Sequence, residues 1–513
     1  MTCKLSTKTA VSVIAALSLF LSISACSNLQ PRPLSEKSLA AQGTADRAAG
    51  RAGVEPITAA LTMEQAVARA LKYNLDRRAK MMEEALALNQ LDVAHYDMLP
   101  RLLAQAGYTS RNNDRISLSE NADTGLASPS QFISQERIHT ASSLGLSWSM
   151  LDLGVGYLGT LQQADRVLIA GEKRRKAMHV LMQDVRTAFW RAVSAQKLQS
   201  QVRGAVATAN EALAESGRAA AQGLRNPVDS LRYQRQLREN MRLLDAINQE
   251  LSTAQIELAT LINEPAGQNI LLAEPPLTVN QQPMAVPVEA MEDIAITSNA
   301  DLREHHYNAR IAREETRKTM VKLFPNLVFN YSINYDTDRY LVNSSWREAG
   351  LHLSFNLFNL LTGPTQMKLA EAGVKLADQR RVAMQIAVIA QVHLARQQVA
   401  NSLSQFEQAD AIWEIDRGIA EHMKNREASQ TISKLDLVAN ETTAILSLLR
   451  RYQALAQAQI AEARLQATLG VEPKISGVSE TSLADLERDI GLSRDVWQTL
   501  PRSRSDAGAK AAQ

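Results

Sequence analysis

Two hydrophobic rhythms divide this chain. In its second half Leu327, Phe329, Tyr331, Ile333 and Tyr335 alternate with Val328, Asn330, Ser332 and Asn334, the period of a strand with one apolar face. A return strand sets Leu351, Leu353, Phe355 and Leu357 against His352, Ser354 and Asn356, and an earlier one sets Leu144, Leu146, Trp148 and Met150 against Ser143, Gly145, Ser147 and Ser149. A fourth strand is expected just after Pro100. Elsewhere the period lengthens. Residues 155–225 hold no proline and are rich in Ala, Gln, Leu and Arg, which predicts one helix roughly 100 Å long at 1.5 Å per residue. A return helix over 227–263 carries Leu237, Met241, Leu244, Ile247, Leu251, Ala254, Leu258 and Leu261 at coiled-coil spacing. It is about half as long, and a helix over 75–99 supplies the missing length by stacking end to end on it beside the long one.

The chain is written twice. The segment that starts at Leu146-Ser147-Trp148 returns as Leu353-Ser354-Phe355, an offset of 207 that also carries Val228-Asp229 onto Leu435-Asp436 and Leu261-Ile262-Asn263 onto Thr468-Leu469-Gly470. Upstream, Asn74-Leu75-Asp76 matches Asn299-Ala300-Asp301 and Pro100 matches Pro325, at an offset of 225. The difference of 18 residues falls in one loop, 110–140 in the first copy and 336–347 in the second; both are polar and read as exposed hairpin tips.

Four strands with apolar-out, polar-in alternation fit a membrane barrel, and about 9 to 11 tilted residues cross a bilayer. Four strands cannot close one. An open sheet would leave bare edges in lipid, so other copies of the chain must complete it, and three protomers of two hairpins supply about twelve strands. The helices of three chains would then ring a tube continuous with the barrel. The expected fold class is mainly α with a small transmembrane β part: a trimeric channel-tunnel, a 12-stranded barrel of four strands per protomer on a long α-helical barrel, with an internal two-fold repeat.

Near the start, Lys4 and Lys8 precede an apolar stretch over 10–21 that runs into Ile23-Ser24-Ala25-Cys26, the layout of a bacterial lipoprotein signal with Cys26 as the acylated residue. Ser27 follows where an Asp would retain such a protein in the inner membrane, so the outer membrane is the expected destination. Losing Cys3 with the signal leaves one cysteine and no intramolecular disulfide. Losing Lys4 and Lys8 brings 56 basic residues level with 54 acidic ones, which removes the basic field that nucleic acid needs. No later segment reaches the 18 apolar residues of a spanning helix, so any crossing is made by strands.

Over residues 61–470 the chain resembles the TolC-type outer-membrane factor family. Leu61-Thr62-Met63-Glu64-Gln65-Ala66 followed by Asn74-Leu75-Asp76 resembles its opening, and Met98-Leu99-Pro100 its approach to the barrel. Gly223-Leu224-Arg225-Asn226-Pro227-Val228-Asp229 is similar to its helical-tip pattern, whereas the second copy departs from it, with Gln430 in place of Gly before Thr431, Ile432, Ser433, Leu435 and Asp436. The resemblance implies that Gly223, Leu224, Val228, Asp229, Thr431, Ser433, Leu435 and Asp436 form a periplasmic tip that contacts an adaptor or gates the tunnel. It implies a homotrimer in outer-membrane lipid, a periplasmic adaptor (membrane fusion) protein and an inner-membrane pump of the resistance-nodulation-division or ABC type, for efflux of small molecules or type I secretion of protein. No enzyme activity and no cofactor are implied. The Trp and Phe-Asp-Pro opening of drug-pump lipoproteins in the family is absent between Ser27 and Leu61, which leaves the pump open.

The expected divisions are a signal over 1–25, a lipidated linker over 26–60, a first repeat over 61–263 (hairpin 101–153, helical hairpin 155–263), a linker over 264–288, a second repeat over 289–470 (hairpin 326–360, helical hairpin 364–470) and a C-terminal equatorial segment with a tail over 471–513.

Other motifs have plainer readings. Asp229 and Asp436 open returning helices, where a carboxylate caps free N–H groups; Asn226-Pro227 is a cap with a first-turn proline, and Ser433 with Asp436 resembles a capping box. Capping and gating both stand. Gly154-Val155-Gly156-Tyr157-Leu158-Gly159 matches a dinucleotide fingerprint, but the alternating strand before it and the missing parallel sheet reject that reading. These glycines are expected to bend the chain from barrel to helix. Lys173-Arg174-Arg175-Lys176 reads as a solvated face, and His305-His306 point about 100° apart and make no metal site. The rival functional reading is a non-conducting periplasmic lipoprotein tether.

Overall fold

A computed structural model describes residues 33–500 apart from 121, 223–225, 266, 269, 275–277, 429–433, 472–480 and 493–495. Cys26 and its signal lie outside the described residues. The chain forms two compact units, Met1–Glu55 and Pro56–Gln513. In the first, α1 (Glu36–Arg51) lies within the stretch 26–60 that reads as a linker, and the Ser35 hydroxyl caps it by accepting from the Ser38 amide.

The second unit opens with α2 (Met63–Tyr73), whose start is fixed by a reciprocal cap: the Thr62 hydroxyl accepts from the Gln65 amide while the Gln65 side chain accepts from the Thr62 amide. Then come α3 (Leu75–Tyr96), β1 (Arg101–Ser110), β2 (Arg115–Glu120), β3 (Ala127–Gln135), β4 (Ile138–Ser149), α4 (Met150–Ala221) and α5 (Pro227–Leu261). They are followed by α6 (Gln282–Ala285), α7 (Val288–Ser298), α8 (Ala300–Lys322), β5 (Asn326–Asp336), β6 (Ser345–Ser354), α9 (Asn359–Ala428), α10 (Lys434–Leu469), α11 (Leu483–Leu492) and α12 (Val496–Thr499).

Helices α4 and α9 run for 72 and 70 residues, about 105 Å each. Helices α3, α5, α8 and α10 pack along α4, and α8 and α10 also pack against α9. Two short helices stacked end to end thus run beside each long one. The joint is the same in both places. Asn74 caps α3 by accepting from the Arg77 amide at 3.0 Å and donates its Nδ2 to the Leu261 carbonyl at the end of α5. Asn299 accepts from the Leu302 amide at 3.0 Å and donates to the Thr468 carbonyl at the end of α10 at 2.8 Å. One amide therefore starts one helix and satisfies an orphan carbonyl of another. Just beyond, the chain leaves each helix in the left-handed region, at Asn263 (φ 60°) and Gly470 (φ 68°), the two residue types that tolerate it.

β1, β4, β5 and β6 form one antiparallel sheet in that order. Leu102 pairs with Leu146, Leu146 with Tyr331, Trp148 with Phe329 and Phe329 with Leu351, so the alternation seen in sequence becomes one apolar band across all four strands. Both outer strands, β1 and β6, pair on one side only. Among the described residues no helix is long and apolar enough to cross a membrane.

Four local expectations change. The polar stretch 110–140 contains a second hairpin, β2–β3, in which Ile116 pairs with Ile133. Phe355, Asn356 and Leu357 lie beyond β6, which ends at Ser354. Helix α4 begins at Met150, capped by the Ser149 hydroxyl, so Gly154, Gly156 and Gly159 lie inside it and bend nothing. Gly156 instead permits a close crossing, because a Cβ there would stand 3.1 Å from the Asp97 carbonyl oxygen. Helix α9 begins at Asn359 and carries Pro364 within it, five residues before the expected start of the helical hairpin.

The main apolar core joins α2, α4, α5, α9, α10 and α11. Phe189 and Trp190 of α4 are almost fully buried in it, their rings edge to face at 6.5 Å. A second core, with Val388, Val392 and Val399 of α9 against Leu465 and Leu469 of α10, holds α7.

Candidate functional site

The tip residues divide by position. Gly223, Leu224, Thr431 and Ser433 lie outside the described residues, which also leaves the expected Ser433 capping box undescribed. Asn226 caps α5 by accepting from the Val228 amide at 2.9 Å, ahead of Pro227 in the first turn. Val228 and Asp229 are exposed there, and Asp229 lies 3.6 Å from Arg232, one turn on. Asp436 occupies the first turn of α10, where its carbonyl accepts from the Asn440 side chain at 2.7 Å. Leu435 is drawn inward. It packs with Val438 of α10 against a small core of Ala209 and Ala212 from α4 and Leu237 from α5. Small residues on α4 let the starts of both returning helices approach the same long helix.

A residue that sequence reasoning passed over ties this end together. Lys434 Nζ, at the first position of α10, lies 2.6 Å from Glu215 and 3.3 Å from Glu211, both on α4. The Glu215 hydrogen bond, reinforced by Glu211, holds the Lys434 ammonium above its ordinary value. The available signal was the pair Glu211 and Glu215, four apart and therefore on one helical face; nothing local named their partner.

Higher on α4 the basic run is stitched to its neighbours, with Arg174 and Arg175 half-buried and Lys173 and Lys176 exposed. Lys173 approaches Glu304 at 3.6 Å, Arg174 bonds Glu84 at 2.6 Å, Arg175 pairs with Glu172, and Lys176 bonds Asp301 at 2.8 Å. Beyond it, toward the sheet, Arg310 of α8 forks onto the buried Asp165 of α4, its Nε 2.9 Å from both oxygens. The run therefore reaches α3 on one side and α8 on the other, which fixes the spacing of the helices around α4. His306 is held below the ordinary histidine value by burial and then by Arg381 and Arg313, and among the described residues no group of His, Cys, Asp and Glu is placed to hold a metal.

At the far end, the loops of the two sheet hairpins are clasped. His139 Nδ1 lies 2.8 Å from Asp336, Asp338 accepts from the Glu136 amide, and Arg137 bonds Asp114 at 2.6 Å. The Arg137 hydrogen bond holds the exposed Asp114 carboxyl below the usual carboxylate range.

No family model and no curated protein matches this chain. Solved structures do. The CmeC outer membrane channel of Campylobacter jejuni shares 13% identity over 84% of this chain and 89% of that one, with a TM-score of 0.60. The MtrE outer membrane channel of Neisseria gonorrhoeae, solved in its open state, shares 15% over 80% and 88%, also at 0.60. The outer membrane protein VceC of Vibrio cholerae shares 14% over 80% and 96%, at 0.57. At these identities the likeness is one of fold.

Proposed function

We propose that this chain, which has the fold of TolC-type outer-membrane channels, is the passive exit duct of an export system. The observation that carries the reading is a four-stranded sheet with one apolar band and two unpaired edges, joined directly at Met150 and within a few residues at Asn359 to helices about 105 Å long. An open edge in lipid strands backbone polar groups, so the sheet calls for closure by further copies. The outer helix columns support the same conclusion. Met82, Leu86 and Val93 of α3 and Leu369, Leu376 and Ile386 of α9 are exposed on opposite sides of the layer, as a head-to-tail ring requires. Three copies give a barrel of twelve strands and a helical tube below it.

In this reading Cys26 carries the lipid anchor, and substrate enters where Lys434 holds the second tip to α4. A periplasmic adaptor loosens that end, and an inner-membrane pump of the resistance-nodulation-division or ABC type supplies the energy. The duct binds no cofactor and performs no chemistry.

The test is conductance of the purified full-length protein in planar bilayers, with the wild type beside a variant carrying Asp229→Ala, Asp436→Ala and Lys434→Ala. Discrete ion-conducting steps, larger in the variant, are expected. A correctly folded oligomer silent in both forms refutes the duct and favours a tether.

A further inference from the structure

Toward the tips, α4, α9 and α10 enclose a groove of about 610 Å³ that the duct reading does not use. Small residues keep it open: Gly204 and Ala205 on α4, Ala420 on α9 and Ala444 on α10 line it, and a Cβ built on Gly204 meets nothing within 4 Å. Leu437, Ile445 and Leu448 of α10 give it an apolar wall. A space of this size with an apolar wall and convergent polar groups is that of a small-molecule pocket.

Its charge is segregated. At one end the ring of Trp413 has the Arg451 and Arg417 guanidinium groups 4.2 and 4.9 Å from its centre, an arrangement that occupies the aromatic face. Arg417 is itself paired with Glu414, and Arg451 with Asp410. At the other end stand Glu421, Glu427 and Glu441, with Lys424 as the one cation among them in the lining. Glu441 has neither a hydrogen bond nor an ion pair among the described residues. Burial, opposed by Lys424 and reinforced by Glu427, pushes its carboxyl above the usual range, as expected of an acid whose charge lacks a partner.

We propose that this groove binds an amphipathic organic monocation, with the cationic head on Glu441 and the apolar body against Leu437, Ile445 and Leu448. An anion of the same size is repelled by the three carboxylates, and a neutral one leaves Glu441 uncompensated. The proposal does not depend on conduction: binding can be present in a silent protein and absent from a conducting one.

Ethidium titrated into the full-length protein in neutral phosphatidylcholine nanodiscs tests it, with 1-anilinonaphthalene-8-sulfonate as the anionic control. Saturable ethidium binding that quenches Trp413 fluorescence is expected, as judged against Trp413→Phe. Glu441→Gln weakens it at least tenfold, and so does lowering the pH through the raised Glu441 value while Glu421 and Glu427 are replaced by Gln. Gly204→Leu, which fills open space, abolishes it without disturbing the helices. Equal affinity in wild type and Glu441→Gln, or equal affinity for the anionic dye, overturns the proposal; so does ethidium binding that survives Gly204→Leu.

Discussion

Replacing Gly470 with Ala tests the helix-stacking joint at its tightest point. Gly470 sits at φ 68°, and a Cβ there would stand 2.1 Å from the Ser298 carbonyl oxygen and 2.4 Å from its carbon. The left-handed conformation alone costs an L-residue about 1–2 kcal/mol. The clash is with backbone, so it is relieved only by moving α8 away from the end of α10, which breaks the buried Asn299 to Thr468 bond and adds about 1–3 kcal/mol for the groups left unsatisfied. Together these come to about 2–5 kcal/mol, a rise of about thirty-fold or more in the local opening constant. Hydrogen exchange followed by mass spectrometry on peptides covering 295–305 and 462–471 reads that constant directly. The matched control is Asn263→Gly at the corresponding joint, where removing a side chain from φ 60° should leave exchange within about tenfold of wild type. Exchange in Gly470→Ala within tenfold of wild type would refute the account of the joint.

Three further outcomes follow from particular contacts. Lys434→Ala removes both links from α10 to Glu211 and Glu215, so long-lived conductance states are expected to become larger and less dependent on salt than in wild type, as bilayer recordings would show. Trp190→Phe takes away the indole donor 2.9 Å from Gln459 and leaves that half-buried amide oxygen without it, which should destabilise the helical part by about 1 kcal/mol in thermal unfolding followed by circular dichroism. Tyr452 is pushed up to about 12, first by burial and then by Glu274, whose carboxylate accepts from its hydroxyl. A folded value above the unfolded one gives stability that is complete below about pH 10 and lost as the pH rises toward 12, so Tyr452→Phe should flatten the alkaline fall in melting temperature.

The strands were legible because each needs only alternating residues: Leu327 to Tyr335 spells out β5 without help from the rest of the chain. The stacked helices were legible because Asn74 and Asn299 hold the same place before matching segments. What escaped depends on partners distant in sequence. The run from Lys173 to Lys176 resembles a solvated face until α3 and α8 bring Glu84, Asp301 and Glu304 beside it. Gly154 to Gly159 looks like a bend because glycine marks bends and close helix crossings alike, and only the position of Asp97 distinguishes them. The β2–β3 hairpin hides in a stretch rich in Ser, with register shifts after Arg115 and Leu118 that break any regular period.

The order of the four strands also governs when the sheet can exist during synthesis. β4 pairs with β5, as in Trp148 with Phe329, so its central seam joins residues about 180 positions apart, while α4 and α9 need only near neighbours to wind. A ribosome has therefore released the whole of α4, α5 and α8 before β4 meets its partner. Until then β1–β4 is a lone hairpin with an apolar face, too small to be stable in water and a template for pairing with the wrong chain. Through that interval alternating residues such as Leu144, Leu146 and Trp148 stand without the cross-strand neighbours they have in the finished sheet.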